Sequence, residues 1–434
     1  MKPALPLAAM LLALFSGCDS TDPVNEISLG TMPDVEVPEI ATNLQDWASW
    51  RGPNGNATQP DFEVPVEFSP TKNVIWKTDI PGRGHADPTV VGDRVFVATA
   101  EKSSTTQSVV CLDRTSGDQL WQAEIHSGGF ESQMHGRSTQ ASNTIASDGH
   151  RAFACFLNAG KIVLSAISFE GKVEWQTELG GFSSRFGYSA SPQIHEASVI
   201  VAADHDGGGF IAAVHRVTGD ILWRKSRPRE STYASPIIAT VAGKKQLLIC
   251  GASQVSSYDP ANGQELWSCD GTTSSCVGTI VWDQDNVFAT GGYPGEQTIA
   301  IQADGSSKVV WKDSIKSYVP SLLYYGDALF CVNDKGLAFC RDAATGKVHW
   351  KSRLGGNYSA SPVLIGQHIY AASEQGSVIV FEASTSGLEK VAENKMGDEI
   401  WASPVAAHGH LFLRVARDTG SGRQETVYCI GEEG

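Results

Sequence analysis

Pro236-Ile237-Ile238-Ala239-Thr240-Val241 opens a unit that ends on Asp259-Pro260-Ala261-Asn262-Gly263-Gln264-Glu265-Leu266-Trp267. Between these ends lie a Gly243-Lys244-Lys245 turn, the apolar run Gln246 to Cys250, and Ser256-Ser257-Tyr258. Four short runs rich in Val, Ile, Tyr and Trp, separated by Gly, Asp and Asn turns, describe four antiparallel strands. Asp or Asn starts the last turn through its side chain, and Gly supplies the positive φ that a tight hairpin needs.

The unit recurs along the chain. Asp113, Gly117 and Trp121 repeat the closing triplet, as do Asp342, Gly346 and Trp350, while Gly171 with Trp175 and Gly219 with Trp223 repeat its second half. Pro192, Pro236, Pro320, Pro362 and Pro404 each open an apolar run, with Gly278 in the slot between Pro236 and Pro320. Stepping back from Pro192 reaches Gln140 and then Pro88. A fixed period of roughly 40 to 50 residues, eight times over, predicts an all-β, eight-bladed β-propeller of four-stranded antiparallel blades.

The ends predict closure. Trp76, in Val74-Ile75-Trp76-Lys77, has no strands of its own unit before it, and the last unit stops after Cys429 without such a Trp. The N-terminal strand therefore completes the eighth blade, which removes two exposed sheet edges. Two units depart from the pattern. Gly305 precedes Trp311 by two residues too many, and Gly387 is followed by Val391 where Trp belongs. Extra residues at Glu101 to Ser108 and His126 to Ser138 are assigned to blades one and two, on loops at one face.

Three regions follow: 1–17 a signal peptide, 18–46 a disordered acidic tether, and 47–434 the propeller. Lys2, the apolar run Ala4 to Phe15 and Ser16-Gly17-Cys18 form a secretory segment too short to span a bilayer. Small residues before Cys18 resemble a bacterial lipobox with Cys18 as the lipidation site; the alternative is an ordinary signal peptide. Asp19 to Asp46 carries acids, prolines and no Lys or Arg, the composition of a tether spanning roughly 30 Å. The expected address is the periplasmic or outer-membrane face of the envelope, with the lipid anchor holding the chain to a membrane.

A net charge of −15 without basic runs argues against nucleic acid as a partner. Most cysteines fall in strand runs as small apolar residues, and Cys269 with Cys276 flank one loop as a candidate disulfide. No Cys/His cluster has metal-ligand spacing, so no metal site is expected. Asp204-His205-Asp206 and Asp283-Gln284-Asp285 read as turn residues or, alternatively, as a calcium site.

The Asp-x3-Gly-x3-Trp tail around an eight-membered ring resembles the pyrroloquinoline-quinone-like (PQQ-like) repeat family, as does the opening Trp47-Ala48-Ser49-Trp50-Arg51-Gly52-Pro53-Asn54-Gly55. The resemblance covers about residues 47 to 430. It implies one of two lineages, quinoprotein dehydrogenases or BamB-like non-catalytic lipoprotein propellers of outer-membrane protein assembly. The dehydrogenase lineage implies PQQ with calcium and adjacent cysteines, and no Cys-Cys pair exists here. The expectation is therefore a non-catalytic envelope scaffold, a monomer without cofactor and with an envelope protein or peptide as partner. The alternatives are a quinoprotein oxidoreductase and a carbohydrate-binding propeller. The residues preceding each inner strand are the candidate binding funnel: His85, Arg137, Tyr188, Tyr233, Tyr318, Tyr358 and Trp401. Aromatic rings there either contact a ligand or pack between blade tips. Arg51 and Arg185 are candidate carboxylate anchors or solvated surface charges.

Overall fold

The computed structural model describes residues 24–132, 134–420 and 422–432. The secretory segment and Cys18 lie outside them. Eight antiparallel sheets form the ring, with blades at residues 89–127, 146–181, 193–226, 237–270, 281–313, 323–353, 363–395 and 405–430. The eighth blade is completed by Val74–Ile80, paired antiparallel to Arg423–Ile430 with Trp76 opposite Cys429. The predicted closure is the observed one. No helix among the described residues is long and apolar enough to cross a membrane.

Inner and middle strands are buried on both sides, since each sheet is sandwiched between two others. Arg94–Glu101 and Thr106–Asp113 are buried at every position except their ends. Outermost strands instead alternate, as Val173–Gly181 does, because their outward residues meet water.

The Gly and Trp of the repeat serve two different junctions. Gly117, Gly171, Gly219, Gly263 and Gly346 receive Trp76, Trp121, Trp175, Trp223 and Trp311 of the preceding blade. A Cβ on any of these glycines would lie 2.5 to 2.8 Å from the indole, so the turn must be Gly for the ring to seat. Three of these five indoles then donate across the junction, Trp76 to the Arg114 carbonyl at 2.8 Å, Trp121 to that of Phe169 at 2.7 Å and Trp311 to that of Ala343 at 2.7 Å, whereas those of Trp175 and Trp223 pack without a hydrogen-bond partner.

Two departures look different in the structure. Gly305 receives no ring, and Trp267 donates to Gln246 Oε1 of its own blade at 2.7 Å. In blade seven the Trp slot belongs to Ala392, opposite Val380 as Trp350 is opposite Cys340, while Val391 points outward. Counting from Gly387 missed this because the connection between the paired strands is two residues longer there. Phe68 shares the apolar cluster with Ala392 and donates its N–H to Asn394 Oδ1 at 2.9 Å.

A belt of hydrogen bonds sets the true phase of the repeat. The N–H of Asp87 donates to Thr144 Oγ1, Thr144 to Ser191 Oγ, and Ser191 to Ser235 Oγ. Beyond a gap, Thr279 donates to Ser321 Oγ, Ser321 to Ser361, Ser361 to Ser403, and Ser403 to Asp87 Oδ1 at 2.6 Å. Trp50 fills the gap by donating Nε1–H to Thr279 Oγ1 at 2.7 Å. Pro192, Pro236, Pro362, Pro404 and Pro88 follow belt residues directly. Gly278, Pro320 and Gln140 do not occupy that slot, which Ile280, Leu322 and Ile145 fill. The first two belt steps span 57 and 47 residues, so the extra length belongs to blade one and its exit loop rather than to blades one and two alike.

The segment expected as a disordered tether lies, from Val24 on, against blades two and three. Ile27 bridges Arg224, Arg216 donates to the Pro38 carbonyl, and Ala41 N–H to that of Asp148. Acidic composition predicted a free chain, but its backbone carbonyls find arginines on the disc. Residues 47–59 then cross the closed face. Trp47 bridges Val90 of blade one, and Thr58–Gln59 adds a parallel strand beside Leu364 and Ile365 of blade seven.

Candidate functional site: a blind central channel

The channel is open on the face where the inner strands begin and stopped on the other by Trp50. It encloses a cavity of about 470 Å³. Of the seven funnel residues expected from the sequence, His85, Arg137, Tyr233, Tyr318 and Trp401 line it together. Tyr188 and Tyr358 do not. Tyr188 is buried with its hydroxyl donating to the Ala202 carbonyl at 3.0 Å, and Tyr358 is 1% exposed within the core of blades six to eight. Both are buried in apolar clusters between blades instead of lining the channel.

One wall is built on blades eight and one. The His85 and Trp401 rings stack at 4.8 Å and 8°. Burial, with the Arg83, Arg414 and Arg423 cations nearby, holds His85 well below the usual histidine range, so the ring is neutral. Arg83 Nη2 donates to His85 Nε2 at 3.4 Å. Arg137 comes from the long exit loop of blade one, passes over the Trp401 ring at 5.8 Å, and reaches Glu374 of blade seven. Its Nη2 lies 2.7 Å from both Glu374 oxygens, and Ser359 Oγ donates to the same carboxylate. A loop that looked like a surface insertion thus straps the mouth.

The opposite wall carries Phe186 over Tyr233 at 5.8 Å, edge to face, and His135 against Phe186 at 4.7 Å. Tyr233 Oη is hydrogen-bonded to Ser184 Oγ at 2.8 Å. Phe186 is 44% and Tyr293 61% exposed at the rim.

Asp87 forms part of the floor and was missed in the sequence. The signal was present: Asp87-Pro88 holds an acid where Ser191-Pro192, Ser235-Pro236, Ser361-Pro362 and Ser403-Pro404 hold serine. Burial pushes the Asp87 carboxyl up to about 8, opposed by the Ser403 N–H and the Arg51 charge. Arg51 is not a surface charge. It is 2% exposed, donates to the Leu322 carbonyl at 2.5 Å, and is lowered to about 9 by burial. Arg185 is exposed at the rim.

Because Asp87 is raised above its ordinary 3.8, its favourable contribution is complete below about pH 4 and lost as pH rises through 8. Asp87→Asn keeps an acceptor for Ser403. It is expected to flatten the decline in stability between pH 5 and 8, a difference on the order of a few kcal/mol by denaturant titration. Parallel profiles for both proteins would refute the buried proton.

The remaining candidates are structural. Asp204 forms a buried double contact with Arg227 at 2.7 and 2.8 Å, and Arg227 reaches Tyr258 Oη. Asp283 caps its own turn through Asn286. Cys269 and Cys276 are not joined. Cys269 Sγ lies on the outermost strand of blade four near the Ser307 carbonyl, whereas Cys276 sits at the channel end of blade five. No group of three or more His, Cys, Asp or Glu side chains among the described residues could hold a metal ion. In the channel Asp87 is a lone carboxyl and Glu374 is already engaged, so the donor set does not fit a calcium-dependent quinone.

The family described as "Outer membrane protein assembly factor BamB" matches residues 66–122 and 105–352. The outer membrane protein assembly factor BamB of Burkholderia pseudomallei (strain K96243) is 24% identical over 75% of this chain and 93% of its own. A polyvinylalcohol dehydrogenase of a Pseudomonas species is 23% identical over 64% of this chain and 60% of its own. Among solved structures, BamB from Moraxella catarrhalis superposes with a TM-score of 0.60 at 17% identity, covering 83% of this chain and 98% of that one. The quinohemoprotein alcohol dehydrogenase of Comamonas testosteroni gives 0.64 at 12% identity, over 91% and 82%. These structural likenesses share the ring and nothing finer. With its closed ring of Gly-Trp junctions and a family match that spans more than half its length, the chain belongs to the PQQ-repeat family described as outer membrane protein assembly factor BamB.

Proposed function

We propose that this protein is a non-catalytic scaffold of the cell envelope, BamB-like, that holds a protein or peptide partner at the channel mouth. The observation that carries the reading is the family match, joined to a relative whose own length is 93% covered. The rim supports it: Phe186 and Tyr293 are large, exposed rings on a rigid disc, the kind of anchor that dominates protein interfaces. Cys18 supplies the lipid anchor in this reading, and the outer-membrane side of the periplasm is its address.

A photo-crosslinker placed at Phe186 or Tyr293 in cells is expected to trap envelope proteins. Phe186→Ala with Tyr293→Ala is expected to lower recovery at least tenfold without changing the melting temperature. A quinone-dependent oxidoreductase is the second reading, favoured by the polyvinylalcohol dehydrogenase relative. Failure to trap any partner, together with saturable PQQ binding and dye-linked alcohol oxidation, would replace the first reading with the second.

A further inference from the structure

The floor of the channel has chemistry that the scaffold reading does not use. Ser191, Ser235, Ser361 and Ser403 line the cavity, and all are more than nine-tenths buried. Each hydroxyl accepts a backbone N–H of the belt: Ser191 from Thr144, Ser235 from Ser191, Ser361 from Ser321 and Ser403 from Ser361. Among the described residues none of the four has an acceptor for its own proton. A ligand that displaces water from the channel must accept these donors itself, because a buried donor left unmade costs free energy, so four facing one cavity point to an occupant with several acceptor oxygens.

Charge narrows the class. The His85 ring is neutral, Asp87 holds its proton at neutral pH, and Arg137 is matched by Glu374. The protonated Asp87 adds a fifth donor beside the serines. Flat apolar surfaces complete the cavity, with Trp50 below, the His85–Trp401 stack on one side and Tyr233 and Tyr318 on the other. Hydroxyl donors set among aromatic faces match a ring that carries polar oxygens on its edge and C–H groups on its faces. A cavity of about 470 Å³ is in the range that encloses a small ligand.

We propose that the blind end of the channel is a binding subsite for a neutral saccharide, one pyranose ring held between the aromatic walls with its oxygens on the Ser191, Ser235, Ser361 and Ser403 hydroxyls. The site stands independently of any partner at the mouth. Arg51 lies beneath Asp87 with its Nε and Nη1 unpartnered, which makes a small carboxylate the competing occupant.

The test uses the purified full chain, with tryptophan fluorescence and calorimetry against glucose, N-acetylglucosamine and a glucose disaccharide, and against acetate and PQQ. At least one sugar is expected to saturate with a dissociation constant at or below about 1 mM. Ser235→Ala and Ser361→Ala, made separately, are each expected to weaken that sugar about tenfold. Thermal melts identify a variant that fails to fold, leaving the other to decide. Saturation by acetate or PQQ alone, no saturation by any sugar, or sugar binding indifferent to both serines would overturn the proposal.

Discussion

Replacing Trp223 by alanine is expected to lower stability by about 3–5 kcal/mol, the cost of emptying a large aromatic site in a core that cannot collapse around it. Trp223 is fully buried, and the turn of blade four meets its ring through Gly263, where a Cβ would lie only 2.5 Å away. Its indole N–H has no partner, so the loss reports packing alone. The two surfaces that form the cavity belong to rigid sheets in a closed ring, which restricts relaxation. The measurement is the denaturant midpoint at constant slope, with Trp223→Phe as a milder companion. A loss below about 1 kcal/mol would mean that the blade-three to blade-four junction does not rest on this ring.

Arg414→Ala is expected to cost about 3–5 kcal/mol, because it leaves a buried carboxylate without its main partner. Arg414 and Glu425 are 2% and 1% exposed and lie 2.6 Å apart on neighbouring strands of blade eight. Arg414 Nη1 also donates to the Ala98 carbonyl of blade one at 2.7 Å, so the pair fastens the last blade to the first. Arg423 still contacts Glu425 at 3.0 Å, which keeps the loss from being larger. Removing both charges, as Arg414→Met with Glu425→Leu, is expected to recover much of the stability, since no uncompensated ion remains. A double variant as unstable as Arg414→Ala would assign the effect to the lost Ala98 contact instead.

The difference between these two sites describes how legible the protein was. Trp223 announces itself, because a large ring four residues after a turn glycine recurs around the disc. Arg414 and Glu425 have no counterpart in the repeat; their pairing depends on which strands meet at the seam. The funnel divides in the same way. His85, Arg137, Tyr233, Tyr318 and Trp401 were found by their place before an inner strand, but the same rule also chose Tyr188 and Tyr358, which the structure buries. Position along the repeat gives the blade and the level, whereas the rotation of a side chain toward the hole or the next sheet depends on neighbours far away in sequence. Asp87 was readable as an acid in a serine slot. Trp50 was readable only as part of an opening segment, since its role as the missing belt donor requires Thr279 to lie opposite it.

The sequence by itself determined the number of blades, the four strands in each, the recurring turn glycine and tryptophan, and the closure by Val74–Ile80. Those features follow from local periodicity and turn chemistry, which repeat and can be counted. Only the tertiary structure decided the phase of the belt, the Ala392 slot, the packed course of residues 24–46, the plug of the channel by Trp50, the burial of Arg51 and the protonation of Asp87. Each of these arises where residues tens to hundreds of positions apart exclude water together, and burial of that kind has no period to read.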